Sequence, residues 1–112
     1  MTDHYTYRLS WSPEDGEYVA TCAEFPSLSW LAEDELTALR GLKDLVRDTV
    51  EDMLANGEQP PEALADKKFS GAISLRMPPE LHRRLAIEAA ETHISLSRHL
   101  NFKLAMTWRS DR

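Results

Sequence analysis

Apolar and polar residues alternate through the first quarter of the chain. Residues 5–11 place four apolar side chains on one face, and residues 18–25 are rich in β-forming residues. The segment 12–17 contains the proline, aspartate and glycine of a turn, so the pattern predicts a β-hairpin. A short third strand, at the edge of the sheet, is predicted at residues 27–31.

Residues 34–56 have a helical pattern, because their apolar residues recur at steps of three and four. Acidic residues lie in the first turn, and Gly57 stands where a C-terminal cap is expected. Gly41 is less favourable than alanine inside this helix by ~1 kcal/mol. Residues 1–66 are therefore predicted to form a β-β-β-α unit, with residues 57–66 as a partly extended, proline-containing linker.

Alternation returns in residues 69–77, which predicts a strand near the start of a second unit, residues 67–112. Pro78 ends strand pairing, and Pro79 suits the first position of a helix that is predicted to end near residue 91. Ser95 is placed to cap a second helix, which is predicted to end near residue 108. The fold class predicted for the whole chain is α+β.

A lone strand before two helices leaves its edges unpaired. If two copies pair antiparallel through residues 69–77, the edges are satisfied and one apolar face of the ribbon packs on four helices. The predicted dimer core comprises Phe69, Ile73, Leu75, Met77, Leu81, Leu85 and Leu100.

The opposite face of such a two-stranded ribbon fits the major groove of B-DNA. Arg76 suits a bidentate contact with guanine, Ser74 a single hydrogen bond, and Ala72 a contact with a thymine methyl group. The amide end of the second helix suits a phosphate group. Base contacts are predicted for Ser70, Ala72, Ser74 and Arg76, and phosphate contacts for Lys67, Lys68 and Ser95.

The net charge of −6 is divided unevenly along the chain. Residues 1–66 contain 15 acidic and 4 basic residues, a net charge of −11, whereas residues 67–112 contain 4 acidic and 9 basic residues, a net charge of +5. A basic C-terminal unit can approach a polyanion, and an acidic N-terminal unit attracts a basic protein. The alternative is that the uneven charge serves solubility alone.

Candidate catalytic and metal-binding residues are not grouped in the sequence. The carboxylates of residues 12–17 and of the first helix are predicted to be solvated rather than to share a metal site. The four histidines lack metal-ligand spacing with one another or with Cys22, which is predicted to be a buried small hydrophobe. No metal, cofactor or enzymatic activity is therefore predicted. Trp30, on the short edge strand, is a candidate anchor for a protein partner.

The length of 112 residues gives each predicted unit only a thin core of its own. Homo-oligomerisation is therefore expected, and the choice between a dimer and a tetramer stays open. The sequence has no run of 18 apolar residues and begins with polar residues, so a cytoplasmic location and no membrane partner are expected.

Two segments resemble known families. Residues 71–105, GAISLRMPPELHRRLAIEAAETHISLSRHLNFKLA, resemble a ribbon-helix-helix domain of the Arc/MetJ type, with an alternating strand, a proline-led helix, a short turn and a serine-capped helix. Residues 7–46, YRLSWSPEDGEYVATCAEFPSLSWLAEDELTALRGLKDLV, are similar to the HicB antitoxin family, in which a hairpin, a short strand and a helix follow in this order.

The resemblance implies a partial RNase H-like fold without catalytic acids in the N-terminal unit. It also implies an antitoxin of a type II toxin–antitoxin system, which binds and blocks a HicA-type mRNA-cleaving toxin and represses its own operon through the ribbon. The leading alternative is a free-standing ribbon-helix-helix transcriptional regulator without a toxin. A helix-turn-helix interpretation of residues 79–108 and a ribonuclease are further alternatives.

Overall fold

The computed structural model of the chain describes residues 2–109, with side chains described to residue 106. It contains a three-stranded antiparallel sheet and three α-helices, preceded by a short 3-10 turn at Thr2–His4. The predicted α+β class is therefore confirmed. The chain divides after Ser70 into two compact units.

The sheet belongs to the first unit, and its strands follow one another in the order β1-β2-β3. Leu9 pairs with Ala20, which in turn pairs with Trp30. Directly opposite residues share a face of the sheet, so these side chains lie on one side. The strands are β1 (Tyr7–Ser12), β2 (Glu17–Cys22) and β3 (Ser29–Ala32).

Helix α1 (Glu35–Ala55) begins and ends at residues that satisfy its free backbone groups. The Asp34 carboxylate accepts hydrogen bonds from the amide and the hydroxyl of Thr37, at 2.8 and 2.7 Å. At the other end Gly57 has a φ of 77°, and the Glu58 amide donates to a carbonyl of the last turn at 2.8 Å. This geometry is that of a glycine C-cap, so the predicted helix and its cap are confirmed.

Small and branched side chains fill the space between α1 and the sheet. Leu42 and Val46 are fully buried and belong to the same apolar cluster as Ala20 and Cys22. The small alanine side chain lets the helix approach the sheet closely, which leaves few voids. The prediction that Cys22 is a buried small hydrophobe is confirmed.

The contact of Gly41 with Trp30 explains why a glycine occurs inside α1. The indole of Trp30 lies over Gly41, and a Cβ atom added there would overlap the ring. The lower helix propensity of glycine is thus offset by a contact that joins α1 to β3.

Residues 57–66, predicted as a linker, are docked on the first unit. Pro60 and Ala63 are buried, and the Tyr5 hydroxyl donates to the Pro61 carbonyl at 2.7 Å. The side chains of His4 and Asp66 are 2.8 Å apart. This segment is thus held by the residues that precede β1, a contact between distant parts of the sequence.

Residues 68–78 form no hydrogen-bonded strand within the described chain. Gly71 has a φ of 85°, a left-handed conformation that interrupts the predicted alternation. A strand also needs a neighbouring strand to pair with. The predicted ribbon of residues 69–77 is therefore not formed by a single chain.

Helices α2 (Pro79–Glu91) and α3 (Leu96–Arg109) follow this segment and agree with the predicted helices. Between them His93 has a φ of 57°, which ends α2 in a left-handed turn. The Ser95 hydroxyl accepts a hydrogen bond from the Arg98 amide at 3.1 Å, so its predicted capping role is confirmed.

Glu88 links α2 to α3 through a group of charged contacts. Its carboxylate is 2.8 Å from Nε2 of His99 and 3.2 Å from Nζ of Lys103. The hydrogen bond to His99, followed by that to Lys103, lowers the pKa of Glu88 below its usual value. Beside this group, Leu85 and Ala89 are buried.

Candidate functional site

The second unit contains an apolar hollow that is open to solvent, here called the C-terminal hollow. Its volume is about 720 Å³. Residues 71–77 line it together with residues of α2 and α3, and Ile73 is 82% exposed. Large apolar side chains around an open hollow are typical of an interface. Its principal apolar residues are Ile73, Leu75, Met77, Leu96, Leu100 and Leu104.

The C-terminal hollow brings together four of the seven predicted dimer-core residues, but not the other three. Phe69 lies before Gly71, in the first unit, and is 70% exposed, with Nζ of Lys67 5.8 Å from its ring centroid. Leu81 is exposed, whereas Leu85 is already buried in the single chain. The apolar stripe around the hollow thus begins at Ile73, not at Phe69.

The residues predicted to contact DNA do not form one surface in the single chain. Ala72 and Arg76 were predicted to lie on the face opposite the apolar stripe, but they line the C-terminal hollow. Ser74 is exposed, and Ser70 lies on the other side of the left-handed Gly71. Pairing with a second strand is needed before these side chains can share a ribbon face, so the base contacts stay a prediction.

The predicted phosphate contacts are solvent-accessible. Lys67 and Lys68 are exposed near the end of the first unit. Ser95 is also exposed, and its hydroxyl is occupied by the capping hydrogen bond. The amide end of α3, rather than the hydroxyl, is thus the group suited to a phosphate.

Trp30 was predicted as a candidate anchor for a protein partner. Its indole lies over Gly41, and 42% of the residue is exposed. Leu31, the next residue of β3, is 39% exposed and pairs with Val19, on the opposite face of the sheet. Trp30 therefore has a structural contact, and its role as an anchor stays a prediction.

Glu24 is a residue whose importance the sequence pattern did not indicate. Its carboxylate accepts hydrogen bonds from the Thr6 amide at 2.8 Å and from the Leu64 amide at 2.9 Å. The Thr6 hydroxyl and the Cys22 thiol also donate to it. One side chain thus joins the start of β1, the end of β2 and the docked segment 57–66.

The electrostatics of Glu24 agree with this role. Removal from water opposes ionisation, but the hydrogen bonds from Leu64 and Thr6 outweigh that effect and lower the pKa of Glu24 below its usual value. Burial raises the pKa of the neighbouring Cys22 thiol, which favours its neutral, unreactive form.

The described residues show no group of three or more histidine, cysteine, aspartate or glutamate side chains that could hold a metal ion. In the same part of the chain, no helix is long and apolar enough to cross a membrane.

Comparison with known families matches part of the chain. Residues 54–100 match the HicB family. The matched residues begin at the end of α1, include the docked segment and reach into α3, whereas residues 7–46, which carried the predicted resemblance, lie outside them. The match supports a HicB-type antitoxin at the level of the family. No curated protein and no solved structure matches the chain.

Proposed function

We propose that this chain is the antitoxin of a type II toxin–antitoxin system, with a HicA-type mRNA-cleaving toxin as its partner. The observation that carries the proposal is the match of residues 54–100 to the HicB family. In this proposal the protein acts by binding, in the cytoplasm, without enzymatic activity or a cofactor. Its N-terminal unit is a partial RNase H-like fold that binds the toxin, and its C-terminal unit binds operator DNA.

The C-terminal hollow supports dimerisation of the second unit. Ile73 and Leu75 are 82% and 65% exposed in the single chain, which leaves apolar surface in contact with water. A second copy that pairs antiparallel through this segment covers this surface and supplies the neighbouring strand that a ribbon requires. The result is a ribbon-helix-helix homodimer.

The charge of the second unit supports binding to DNA. Residues 67–112 have 9 basic and 4 acidic residues, and a basic ribbon is attracted to the phosphate backbone. In the paired ribbon Arg76 reads guanine, and Ser70, Ala72 and Ser74 complete the base-reading face. Lys67, Lys68 and the amide end of α3 at Ser95 contact phosphates.

The charge of the first unit supports binding to a basic toxin. Its 15 acidic and 4 basic residues produce a negative field that attracts a basic ribonuclease. Once bound, the first unit covers the RNA-binding surface of the toxin. The exposed part of Trp30, beside the acidic residues 33–35, is the proposed apolar anchor.

The experiment that tests the antitoxin role is co-expression with the neighbouring reading frame from the native genome. We expect that frame to encode a small basic protein that arrests growth and cleaves mRNA, and we expect this chain to relieve the arrest and to co-purify with it. Trp30→Ala should weaken the complex, whereas Trp11→Ala, which changes another exposed tryptophan, should leave it intact. A toxin-free locus would instead favour the free-standing regulator.

The DNA role is tested by a gel shift on the upstream region of the operon. Arg76→Ala should weaken specific binding by ~1–3 kcal/mol and leave the dimer intact. Arg83→Ala, on the exposed surface of α2, is the matched control and should weaken binding less. Unchanged affinity and sequence preference in Arg76→Ala would exclude readout by the ribbon.

A further inference from the structure

Three of the four basic residues of residues 1–66 lie on one flank of α1. They are Arg40, Lys43 and Arg47, and they line a hollow between α1 and the N-terminal 3-10 turn, here called the α1 hollow. Its volume is about 320 Å³. The fourth basic residue, Arg8, is exposed on β1 and does not line it.

The spacing of these residues explains why they share a flank. Residues three, four or seven positions apart lie on the same side of a helix. Leu36 and Leu39 precede the basic residues at this spacing and also line the α1 hollow. Leu36 is 70% exposed, although it is a large apolar side chain. One flank of α1 therefore presents an apolar end followed by a basic end.

The three cations differ in how far their charge is compensated. Arg47 is 3.0 Å from a carboxylate oxygen of Asp44 and 4.0 Å from one of Asp48. Lys43 places its Nζ 5.2 Å from the centroid of the Tyr7 ring, which is also part of the hollow. Within residues 2–66, neither Arg40 nor Lys43 forms an ion pair. Arg40 does attract Asp34, and after the hydrogen bonds from Thr37 this attraction also lowers the pKa of the Asp34 carboxyl. Because neither cation is in a direct ion pair, both side chains can still contact a ligand.

The shape and the surrounding charge restrict the class of ligand. Tyr7, Leu36 and Leu39 offer apolar surface, and Arg40 and Lys43 offer donors for a carboxylate. A nucleic acid is disfavoured because Asp3 and Asp44 also line the hollow and because the acidic unit repels a chain of phosphates. A short peptide with apolar side chains and a few carboxylates meets both kinds of surface, and the acidic unit repels its smaller charge less than it repels a chain of phosphates.

We propose that the α1 hollow is a docking site for a short acidic and apolar segment of a partner protein. An apolar side chain of that segment packs on Leu36 and Tyr7, and neighbouring carboxylates bind Arg40 and Lys43. The site is independent of the proposed toxin and DNA contacts, because it recognises acidic groups and lies on the flank of α1 that faces Tyr7 on β1, whereas Trp30 on β3 packs at Gly41.

The test uses the full chain labelled with ¹⁵N and a blocked hexapeptide of alternating glutamate and leucine. We expect the peptide to shift amide signals of residues 36–47 and of Tyr7, with saturable binding that weakens as salt is raised. The same peptide with glutamine in place of glutamate should bind at least about tenfold more weakly, because it lacks the charges that Arg40 and Lys43 recognise.

Matched variants locate the binding. The double variant Arg40→Gln/Lys43→Gln should weaken the glutamate peptide at least about tenfold, whereas Arg8→Gln, which removes the fourth cation of the unit, should leave the affinity unchanged. Leu36→Gln tests the apolar end separately and should weaken both peptides. All these positions are exposed, so circular dichroism should show unaltered folding.

Three results would overturn the proposal. The first is the absence of saturable shifts with the glutamate peptide, and the second is an equal loss of affinity in Arg8→Gln and in the double variant. The third is tighter binding of a six-nucleotide RNA than of the peptide at the same residues, which would assign the α1 hollow to nucleic acid instead.

Discussion

The two units of this chain differ in how far their large apolar side chains are buried. In the first unit Leu42 and Val46 are fully buried under the sheet, and the segment 57–66 is docked through the buried Pro60 and Ala63 and through hydrogen bonds. In the second unit Ile73 and Leu75 remain mostly exposed around an open hollow. The first unit therefore buries a core within one chain, whereas the apolar residues around the C-terminal hollow need a partner to become buried.

This difference indicates that the second unit, and not the first, needs another protein chain to complete its core. Packing of α1 on the sheet closes the apolar core of residues 2–66 within one chain. Residues 73–77 form no ladder with another described strand, and the apolar residues that they share with α3 around the C-terminal hollow remain open to solvent. The comparison thus predicts that substitutions in the first unit change folding, and that those around the C-terminal hollow change association.

The largest effect is expected from Ile73→Asp, which tests the second half of the comparison. A carboxylate in the centre of a dimer core is buried without a partner, at a cost of several kcal/mol. We expect a wild-type dimer and a monomeric variant by analytical ultracentrifugation. Ser74→Asp, at the adjacent exposed position, is the control and should remain dimeric. A monomeric wild-type protein would contradict the interpretation of the C-terminal hollow as half a core.

Leu42→Ala tests the first half of the comparison. Leu42 is fully buried, so truncation should lower the free energy of unfolding by ~2–5 kcal/mol through lost burial and a residual cavity. Denaturant titration followed by tryptophan fluorescence measures this change. Leu54→Ala, at an exposed position of the same helix, should cost less than about 1 kcal/mol. Equal losses at the two positions would show that the core is not where the packing places it.

Glu24→Gln tests how the docked segment is held. The variant keeps the shape but loses the charge and replaces one of the two oxygens that accept hydrogen bonds from the Thr6 and Leu64 amides with an NH2 group, which cannot accept, at an expected cost of ~1–3 kcal/mol. Hydrogen exchange should increase at Leu64, and thermal unfolding should occur at a lower temperature. Glu33→Gln, at an exposed position, is the matched control.

The pH dependence of Glu24 sharpens the same test. Because its pKa in the folded state lies below the usual value of 4.5, the stability that it contributes is fully present above that pH. That contribution is lost as the pH falls through the folded-state pKa. The melting temperature of the wild-type protein should therefore fall more steeply on acidification below about pH 4.5 than that of Glu24→Gln. Parallel curves would contradict the role of the Glu24 charge.

Gly41→Ala probes the contact between α1 and β3. Alanine normally stabilises a helix interior by ~1 kcal/mol relative to glycine, but here its Cβ overlaps the indole of Trp30. We expect a net destabilisation of ~1–3 kcal/mol, with the Trp30 fluorescence shifted towards that of a solvated indole. When Trp30 is also replaced by alanine, the overlap is removed and Gly41→Ala should become neutral or stabilising. A stabilising effect of Gly41→Ala in the otherwise wild-type protein would contradict the proposed importance of this contact.

The smallest effect is expected from Glu88→Gln in the second unit. Its carboxylate and Lys103 are partly exposed, so solvent screens these contacts and they contribute little to stability. Compared with Glu24→Gln, the same substitution should therefore change thermal stability little. A larger loss in Glu88→Gln would reverse the comparison and make the link between α2 and α3 the more sensitive one.

Much of the fold could be predicted because it depends on local patterns. The alternation of residues 5–11 and the turn before residue 18 led to the β1-β2 hairpin, and the Asp34 and Gly57 caps marked the ends of α1. Capping and periodicity involve residues a few positions apart, so they can be read without a structure. The Ser95 cap of α3 was predicted for the same reason.

The candidate sites could be predicted less well, because they depend on distant contacts. Nothing near Glu24 in the sequence shows that Leu64, 40 residues later, donates to its carboxylate. The alternation of residues 69–77 suggested one continuous strand, but the left-handed Gly71 separates Phe69 from the rest of the apolar stripe and Ser70 from the other predicted base contacts. Ala72 and Arg76 likewise line the C-terminal hollow in the single chain.

By itself, the sequence determined the α+β class, the three helices and the opposite charges of its two halves. Helical and strand periods, caps and net charge are properties of nearby residues or of simple sums along the chain. Only the tertiary structure decided that residues 57–66 dock on the first unit, that Trp30 packs on Gly41, and that Arg40 and Lys43 share a hollow with Tyr7. These features require residues far apart in the chain to meet in space, and hydrophobic periodicity contains no information about which distant residues will meet.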